Sequence, residues 1–411
     1  MRRQFLIGIL ISSFGGAGTA LPALAQEQRP QPGPVVFQCD GTDLAQTKTR
    51  LEAGDKATKG YVKELRSDAD KALKLGTFSV ITKEPVPPTG DKHDYMSLSP
   101  YWWPDPSKPD GKPYIRKDGE FNPERAKYDL DALENMSDAV ESLSLAYYFT
   151  GNEDYAKKAA ELIRVWFIDP QTKMNPNLRF AQFVPGITEL RSSGIIEGGR
   201  LRRVVDADGL LKGSKSWTEE DSKALKAWFG ELLKFLLESD MGQMEANQPN
   251  NHGTWYGVQA VTYALYLGDE DLARKLIQKH GPERIAKQIQ PDGTQPYELE
   301  RTRAFDYSRF NILAHIEMAM LAQRVGVDLW GYKTEDGRSL KLALDWLIPY
   351  ATGEKEWPYK QITPIKMKET ATVLRRAANG LHDPRYEQLI AKLKDGEGLP
   401  ERAELVFPPK Q

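Results

Sequence analysis

Residues 130–167 read LDALENMSDAVESLSLAYYFTGNEDYAKKAAELIRVWF, and this stretch indicates the fold class. Apolar side chains recur at helical spacing over 130–150 and again over 154–167. The tripeptide Gly151-Asn152-Glu153 between them has the composition of a turn. Two helices joined by so short a connection lie side by side, so the stretch predicts an antiparallel helical pair.

Further helical patterns follow along the chain, and alternating strand patterns are nearly absent. An amphipathic helix is predicted within 43–75, and later helices are predicted at 219–239, 253–267, 270–280, 283–290, 310–325, 340–350, 367–378 and 384–393. Repeated helix pairs with short turns predict an all-α fold, an (α/α) toroid or incomplete barrel of antiparallel pairs with long aromatic loops. No repeat of fixed period accompanies them, so this prediction depends on helix pairing.

The N-terminus has the features of an export signal. Residues 1–25 combine a basic start, a short apolar run and small residues before the expected cleavage site, which is typical of a secretory signal peptide. The pair Arg2-Arg3 also fits twin-arginine export. Residues 26–34 are rich in proline and predict a flexible lead-in, and 35–411 are predicted to form one toroid domain. We therefore expect a soluble periplasmic or secreted protein without a membrane span.

The composition excludes several classes of partner. The chain has 56 basic and 58 acidic residues, so no overall field would attract it to nucleic acid or to an anionic membrane. A single cysteine, Cys39, excludes an intramolecular disulfide. Signatures of zinc hydrolases, P-loops and serine esterases are absent, and we expect neither a cofactor nor a catalytic metal. No pattern in the sequence predicts an oligomeric state.

Residues 248–256 read QPNNHGTWY and contain the most informative motif. Pro249 interrupts the preceding chain and helical periodicity begins at Gly253, so Asn251 and His252 are expected in the turn that enters a helix. In a turn their amide and imidazole can converge, and a helix N-terminus favours a carboxylate ligand. The same residues would also suit a plain helix cap above a packed histidine.

A second motif, ELERTRAFDY at 298–307, places two arginines before a tyrosine. Arg301 or Arg303 would lower the pKa of the Tyr307 phenol by stabilising its phenolate. On an ideal helix Arg303 and Tyr307 share a face, whereas Arg301 does not, so helix geometry favours Arg303. An exposed ion-pair cluster beside a core tyrosine would give the same pattern.

The region 91–124 is rich in proline and aromatic residues and is predicted to be a long ordered loop, which in compact domains is often functional. Rigid aromatic rings there would stack on sugars. A later loop, NPNLRFAQ at 175–182, offers amides for sugar hydroxyls. The candidate substrate-binding residues are Tyr95, Tyr101, Trp102, Trp103, Gln182, Trp255, Tyr256 and Arg303. A hydrophobic cluster capping the toroid and a plain connecting loop are the alternative interpretations.

The segments YMSLSPYWWPDP, NPNLRFAQ, NNHGTWY and ELERTRAFDYSRFN, taken together, resemble the alginate lyase superfamily between residues 95 and 315. Arg301 precedes Tyr307 by six positions, a shorter spacing than in polysaccharide lyase family five. The spacing is more similar to that of polysaccharide lyase family thirty-eight, whose members act on alginate or glucuronan.

The resemblance implies an enzyme that cleaves an acidic polysaccharide by β-elimination and leaves a 4,5-unsaturated uronate. It implies that Asn251 and His252 contact the substrate carboxylate, that Arg301 assists, and that Tyr307 transfers protons. It also places Gln182 near the sugar. Arg301 thus takes the role that helix geometry offers to Arg303.

Two other functions fit parts of the pattern. A glycoside hydrolase on an (α/α) barrel would need two catalytic carboxylates, for which Glu197, Glu298 and Glu300 are candidates. An exported glycan-binding protein would hold the same polysaccharide without turning it over.

Overall fold

The computed structural model describes residues 33–189, 191–393 and 399–410. The predicted signal peptide and almost all of the predicted lead-in lie outside these residues. The α-helices of the described part are α1 Gly41–Glu52, α2 Lys56–Ala72, α3 Leu130–Thr150, α4 Glu153–Ile163, α5 Arg202–Leu210, α6 Glu219–Glu238, α7 Asp240–Ala246, α8 Asn251–Tyr266, α9 Glu270–Gln288, α10 Pro296–Leu299, α11 Ala304–Gln323, α12 Leu340–Thr352, α13 Met367–Leu381, α14 Arg385–Ile390 and α15 Glu401–Val406. The all-α prediction is confirmed.

The predicted pair α3 and α4 forms as expected. Gly151 ends α3 with φ of 69°, a left-handed conformation that glycine adopts without strain. The Asn152 side chain then accepts a hydrogen bond from the backbone N–H of Asp154 and caps α4. The α-helix ends at Ile163, earlier than predicted, and a π-helical turn at Arg164–Ile168 follows.

Helix α8 lies at the centre of the packing. Fourteen of its residues are buried, and it packs against α5, α6, α7, α9 and α11. A helix that is apolar on nearly every side needs neighbours all round, which explains why α8 has no exposed face. Its N-terminus therefore has a rigid position relative to the helices that surround it.

Two further helices, α9 and α11, differ clearly from their predicted bounds, and α5, α7, α10 and α15 were not predicted. One continuous helix, α9, replaces the predicted pair at 270–280 and 283–290, with Pro282 inside it. Proline in a helix interior usually breaks it, but packing against α8 and α11 holds α9 together here. Helix α11 begins at Ala304, well before the predicted start at 310.

Short strands connect the long loop to the segment that contains Gln182. Strand β1, Met96–Leu98, pairs in parallel with β4, Phe180–Phe183, and β2, Trp102–Trp103, pairs antiparallel with β3, Ile115–Arg116. The predicted ordered loop thus contains three of these strands. None of the described helices is long and apolar enough to span a bilayer.

Aromatic side chains of α6 and α8 pack against the π-helical turn that follows α4. The Phe229 ring lies 5.8 Å from Phe167, 5.2 Å from Trp228, 5.0 Å from Tyr263 and 5.6 Å from Tyr266, measured between centroids. Phe229 itself is fully buried. Aromatic contacts of this kind add to the free energy of burying the rings.

Phe229→Ala should lower the free energy of unfolding by about 3 to 5 kcal/mol, because it opens a cavity at the centre of this cluster. Urea denaturation followed by circular dichroism measures the change. Leu75→Ala, at a side chain that is 41% exposed, is the control and should change stability by no more than about 0.5 kcal/mol. Equal effects of the two substitutions would contradict the assignment of this cluster to the core.

Candidate active site

A cavity of about 680 Å³ opens where the long loop, strand β4 and the N-termini of α8 and α11 meet. Seven of the residues predicted for the site line it, together with several arginines. The predicted residues in the lining are Tyr101, Trp102, Gln182, Asn251, His252, Arg301 and Tyr307. Segments far apart in sequence therefore contribute to one cleft, as the sequence analysis predicted for Asn251, His252, Arg301 and Tyr307.

The N-terminus of α8 presents the asparagine pair to two different partners. Asn250 is the cap, and its side chain accepts a hydrogen bond from the backbone N–H of His252 at 3.1 Å. Asn251 begins the helix, and its backbone N–H and Nδ2 both donate to Glu298, each at 2.7 Å. Only one hydrogen of Nδ2 is used by this bond, so a second remains for a ligand.

A buried glutamate orients the histidine. The Nδ1 atom of His252 lies 2.7 Å from Oε1 of Glu245, a carboxylate on α7 that is fully buried. A carboxylate accepts hydrogen bonds, so Nδ1 carries the proton of the neutral ring and Nε2 keeps its lone pair. Sequence analysis did not identify Glu245, since nothing in 240–246 distinguishes it from a surface acid.

Arg301 reaches the tyrosine. Its Nη2 donates to the Tyr307 Oη at 2.8 Å, and its guanidinium carbon lies 3.8 Å from the centre of the Tyr307 ring. The Tyr101 hydroxyl is 3.0 Å from the same oxygen. Arg303 instead pairs with Asp306 at 2.9 Å and is not in the cavity lining. Ideal helix geometry favoured Arg303, and this preference was wrong, because α11 begins at Ala304 and Arg303 is its N-cap residue with non-helical backbone angles. The Arg303 carbonyl accepts a hydrogen bond from the Tyr307 backbone N–H, but the Arg303 side chain bonds to Asp306.

The Tyr307 phenol is harder to ionise than an isolated tyrosine. Burial raises its pKa, and the neighbouring Tyr101 raises it further, while Arg301 acts in the opposite direction. The predicted decrease in pKa is therefore wrong for this structure, because desolvation outweighs the arginine. Tyr307 is a neutral hydrogen-bonding phenol at neutral pH.

Asp118, in the long loop, holds Arg301 in place. It accepts from Nη2 of Arg301 at 2.7 Å, from the Thr302 backbone N–H at 3.1 Å and from Oγ1 of Thr302 at 2.9 Å. Burial alone would raise the pKa of Asp118, but the hydrogen bonds from Arg301 and Thr302 lower it well below its usual range. Gly119 follows with φ of 83°, and a Cβ there would lie 2.5 Å from Oγ1 of Thr302. Sequence analysis missed Asp118, whose only signal was an Asp-Gly turn.

Gln182 lies where the chain crosses the cavity wall. Its backbone adopts φ of 52°, a left-handed conformation that is uncommon for a residue other than glycine. The Gln182 N–H donates to Oγ of Ser97 at 2.7 Å, and Ser97 in turn donates to the buried Glu197 at 2.6 Å. These contacts fix the backbone of a side chain that lines the cavity.

Three predicted sugar platforms are buried and cannot stack on a ligand. Tyr95 is 0%, Trp255 5% and Tyr256 2% exposed. The hydroxyl of Tyr95 donates to Glu197, and that of Tyr256 donates to the backbone carbonyl of Leu236. The residues that lead into β1 carry the Tyr95 ring into the core, and α8 carries the rings of Trp255 and Tyr256 into it. These predictions are corrected accordingly.

Trp103 is also absent from the described cavity lining. Its Nε1 donates to the carbonyl of Glu120, and the Lys117 ammonium lies 5.1 Å from its ring centre. Strand β2 alternates its faces, so Trp102 points into the cavity while Trp103 packs on the loop. Trp102 and Tyr101 are the loop aromatics that remain candidates for sugar contact.

The carboxylate pair that a glycoside hydrolase needs is not assembled from the predicted glutamates. Glu298 is buried and bound to Asn251, and Glu300 is not in the described lining. Glu197 lines the cavity, where it accepts hydrogen bonds from Tyr95 and Ser97. The observed arrangement therefore gives the hydrolase hypothesis no support.

Helix α8 begins at Asn251, two residues before its predicted start, so His252 lies in the first turn of the helix and not in a preceding turn. Gly253→Ala should disturb this first turn, because a Cβ at this position would lie 2.3 Å from the Gln248 carbonyl oxygen and 2.3 Å from Nη1 of Arg284. We expect a loss of about 1 to 3 kcal/mol in unfolding free energy, measured by urea denaturation. Gly230→Ala is the matched control. No atom of residues 33–189, 191–393 and 399–410 lies within 4 Å of its added Cβ, so this helical position should gain about 0.5 to 1 kcal/mol. A neutral effect at Gly253 would contradict the close packing described here.

Comparison with known proteins finds a matching family and several similar solved structures. The family profile described as Alginate lyase matches residues 79–357. An alginate lyase from Bacteroides ovatus is 42% identical, with 92% of this chain and 100% of that chain covered and a TM-score of 0.88. No match was found among curated proteins.

More distant structures share the fold. Alginate lyase A1-III from Sphingomonas species A1 is 14% identical, with 94% of this chain and 100% of that chain covered and a TM-score of 0.55. A histidine-to-alanine form of that enzyme in complex with a tetrasaccharide is 16% identical, covers 95% and 99% of the two chains, and has a TM-score of 0.55. The predicted toroid is confirmed by these neighbours. The chain belongs to the alginate lyase family and is a polysaccharide lyase.

Proposed function

We propose that this lyase cleaves a uronate polysaccharide, alginate or glucuronan, by β-elimination and leaves a 4,5-unsaturated uronate. The observation that carries the proposal is the Arg301–Tyr307 hydrogen bond in the same cavity as Asn251 and His252. Relatives named as alginate lyases, one of them in complex with a tetrasaccharide, support an acidic polysaccharide as substrate.

The N-terminal features support export. Residues 1–25 have the composition of a signal peptide, and we infer that the enzyme acts in the periplasm or outside the cell. We also infer that 35–411 form one domain, since a single buried core cluster includes residues from Val36 to Phe407.

The chemical obstacle is the weak acidity of the C5 hydrogen while the neighbouring carboxylate remains charged. The N-terminus of α8 carries partial positive charge, and the free hydrogen of Asn251 Nδ2 adds a donor. Both would stabilise the enolate that forms when C5 loses its proton. A preorganised donor of this kind is worth roughly 3 kcal/mol in comparable oxyanion sites.

Tyr307 protonates the leaving O4. Burial keeps the phenol protonated in the free enzyme, so it carries the proton that O4 requires. Arg301, hydrogen-bonded to the phenol oxygen, then stabilises the phenolate that remains. Asp118 acts as a positioning residue, because it holds the guanidinium against this oxygen.

The base depends on the face that carries the C5 hydrogen. Where this hydrogen and O4 lie on opposite faces, as in guluronate, His252 takes the proton at Nε2, which Glu245 leaves unprotonated. Where they share a face, as in mannuronate and glucuronate, Tyr307 must first lose its own proton. As a phenolate it then takes the C5 proton and afterwards donates that proton to O4. The two substrate classes therefore require different ionisation states of one phenol.

The wild-type enzyme should release products that absorb in the ultraviolet, because elimination leaves a C4=C5 double bond conjugated to the carboxylate. Tyr307→Phe should lower kcat by about 100-fold or more, since it removes the proton donor and little else. Tyr359→Phe, at a ring that is 38% exposed and outside the described cavity lining, is the control and should retain wild-type activity.

Two results would reject the proposal. Reducing ends released from alginate and glucuronan without the chromophore would identify a hydrolase. Tight binding of both polymers without any product on prolonged incubation would identify a binding protein. Full activity of Tyr307→Phe would reject the role of the tyrosine while leaving the lyase activity intact.

Activity on mannuronate blocks and on glucuronan should rise with pH. The raised pKa of Tyr307 lies above the usual value of about 10, so below it the phenolate fraction increases about tenfold per pH unit. We expect kcat/KM to increase accordingly between about pH 7 and 9, and no such alkaline increase on guluronate blocks. Melting temperatures over the same range control for unfolding, and a flat profile on the same-face substrates would contradict a phenolate base.

A further inference from the structure

Five arginines of the described chain line the cavity, and four of them already have carboxylate partners. Arg116 and Arg301 share Asp118, each at 2.7 Å. The other pairs join Arg125 to Asp131 at 3.0 Å and Arg200 to Glu134. Arg191 is the fifth, and among residues 33–189, 191–393 and 399–410 no carboxylate pairs with it.

Arg191 has a hydrogen-bond donor that is left without an acceptor in the described chain. The side chain is partly buried, and its Nε atom is inaccessible to solvent and has no hydrogen-bond partner in the described chain. Burial and the nearby Arg116 both lower its pKa. A buried N–H donor without an acceptor is costly, so packing alone does not explain the place of this side chain in the cavity wall.

The surroundings of Arg191 suit a sugar acid. Its guanidinium lies 5.0 Å from the centre of the Trp102 ring, which keeps the planar fork in one orientation. Two residues later, Oγ of Ser193 is another buried polar atom of the lining without a partner in the described part of the chain. A free guanidinium fork and a hydroxyl match the oxygens of a carboxylate.

Tyr101 and Trp102, at the start of strand β2, connect Arg191 to the reacting groups. Tyr101 contacts the Tyr307 phenol, and the next residue, Trp102, contacts Arg191. Arg191 and the Tyr307 phenol therefore contact consecutive residues of the cavity wall. In a polyuronate every sugar carries a carboxylate, so the sugar adjoining the cleaved one would present its charge at this wall.

We propose that Arg191 and Ser193 form a second carboxylate subsite, which binds the uronate adjoining the one that loses its C5 hydrogen. This inference rests on the proposed polyuronate lyase activity and deepens it. Arg191 is a specificity residue, since it selects a substrate with consecutive charged sugars. It takes no part in proton transfer.

Arg191→Gln tests the subsite, because it removes the charge and keeps a polar side chain. We expect KM for alginate or glucuronan, whichever the wild type cleaves, to rise about tenfold or more while kcat stays within about twofold. Arg191→Lys keeps the charge but loses the planar fork, so its KM should lie between the two. Raising the ionic strength should increase KM less in Arg191→Gln than in the wild type.

Arg179→Gln is the matched control, since Arg179 is exposed in the preceding loop and is not in the cavity lining. It should leave KM unchanged. An unchanged KM in Arg191→Gln, or a loss confined to kcat, would overturn the subsite. An equal rise in KM in Arg179→Gln would also overturn it, because the effect would then be one of general charge.

A second measurement covers a variant that folds poorly. Calorimetric binding of saturated uronate trimers to the Tyr307→Phe enzyme, with and without Arg191→Lys, should show about a severalfold weaker Kd in the double variant. An equal Kd would overturn the subsite. If the wild type made no unsaturated product from either polymer, the proposed function would fail while these binding results would still decide the subsite.

Discussion

The site depends on one ion pair between distant parts of the chain. Asp118 and Arg301 are 183 positions apart, and their 2.7 Å contact brings the guanidinium to the Tyr307 phenol. Without the carboxylate, Arg301 would be a flexible side chain in the turn before α11. Gly119 allows the loop to approach closely enough for this contact, because a Cβ would collide with Thr302. A loop that looks like a surface feature in the sequence therefore sets the geometry of the reacting group.

Buried carboxylates also determine the other half of the site. Glu245 and Glu298 both approach the N-terminus of α8, where the partial positive charge of the helix offsets their burial. Glu245 selects the tautomer of His252, and Glu298 holds Asn251 at the first helical position. Burial raises the pKa of Glu298, and its hydrogen bonds from Asn251 oppose that increase. Both functional side chains are thus oriented by acids that do not line the described cavity.

Pairing with a carboxylate also separates the arginines of the cavity that have a structural role from the one that can bind substrate. Arginines that already pair with Asp118, Asp131 or Glu134 have their charge compensated within the protein. Arg191 lacks such a partner in the described part of the chain, so its charge remains available to an anion. Tyr307 shows the opposite balance, because desolvation exceeds the effect of its arginine and keeps the phenol neutral. The cleft therefore contains both a neutral phenol, Tyr307, that can donate a proton and a cation, Arg191, that can bind an anionic substrate.

Helical periodicity in the sequence was sufficient to predict the all-α class and the turn at Gly151, because these depend on local pattern. The grouping of Asn251, His252, Arg301 and Tyr307 was implied by the resemblance of four ordered motifs to a known family, and all four residues line one cavity. Tertiary packing decided the remaining features. Whether Trp255 and Tyr256 face the core or the cavity depends on which side of α8 is covered, and for Tyr95 it depends on how the chain enters β1. Whether Arg301 or Arg303 reaches Tyr307 depends on where α11 begins. The direction of the Tyr307 pKa shift likewise depends on burial, a property of the whole fold that adjacent residues do not reveal.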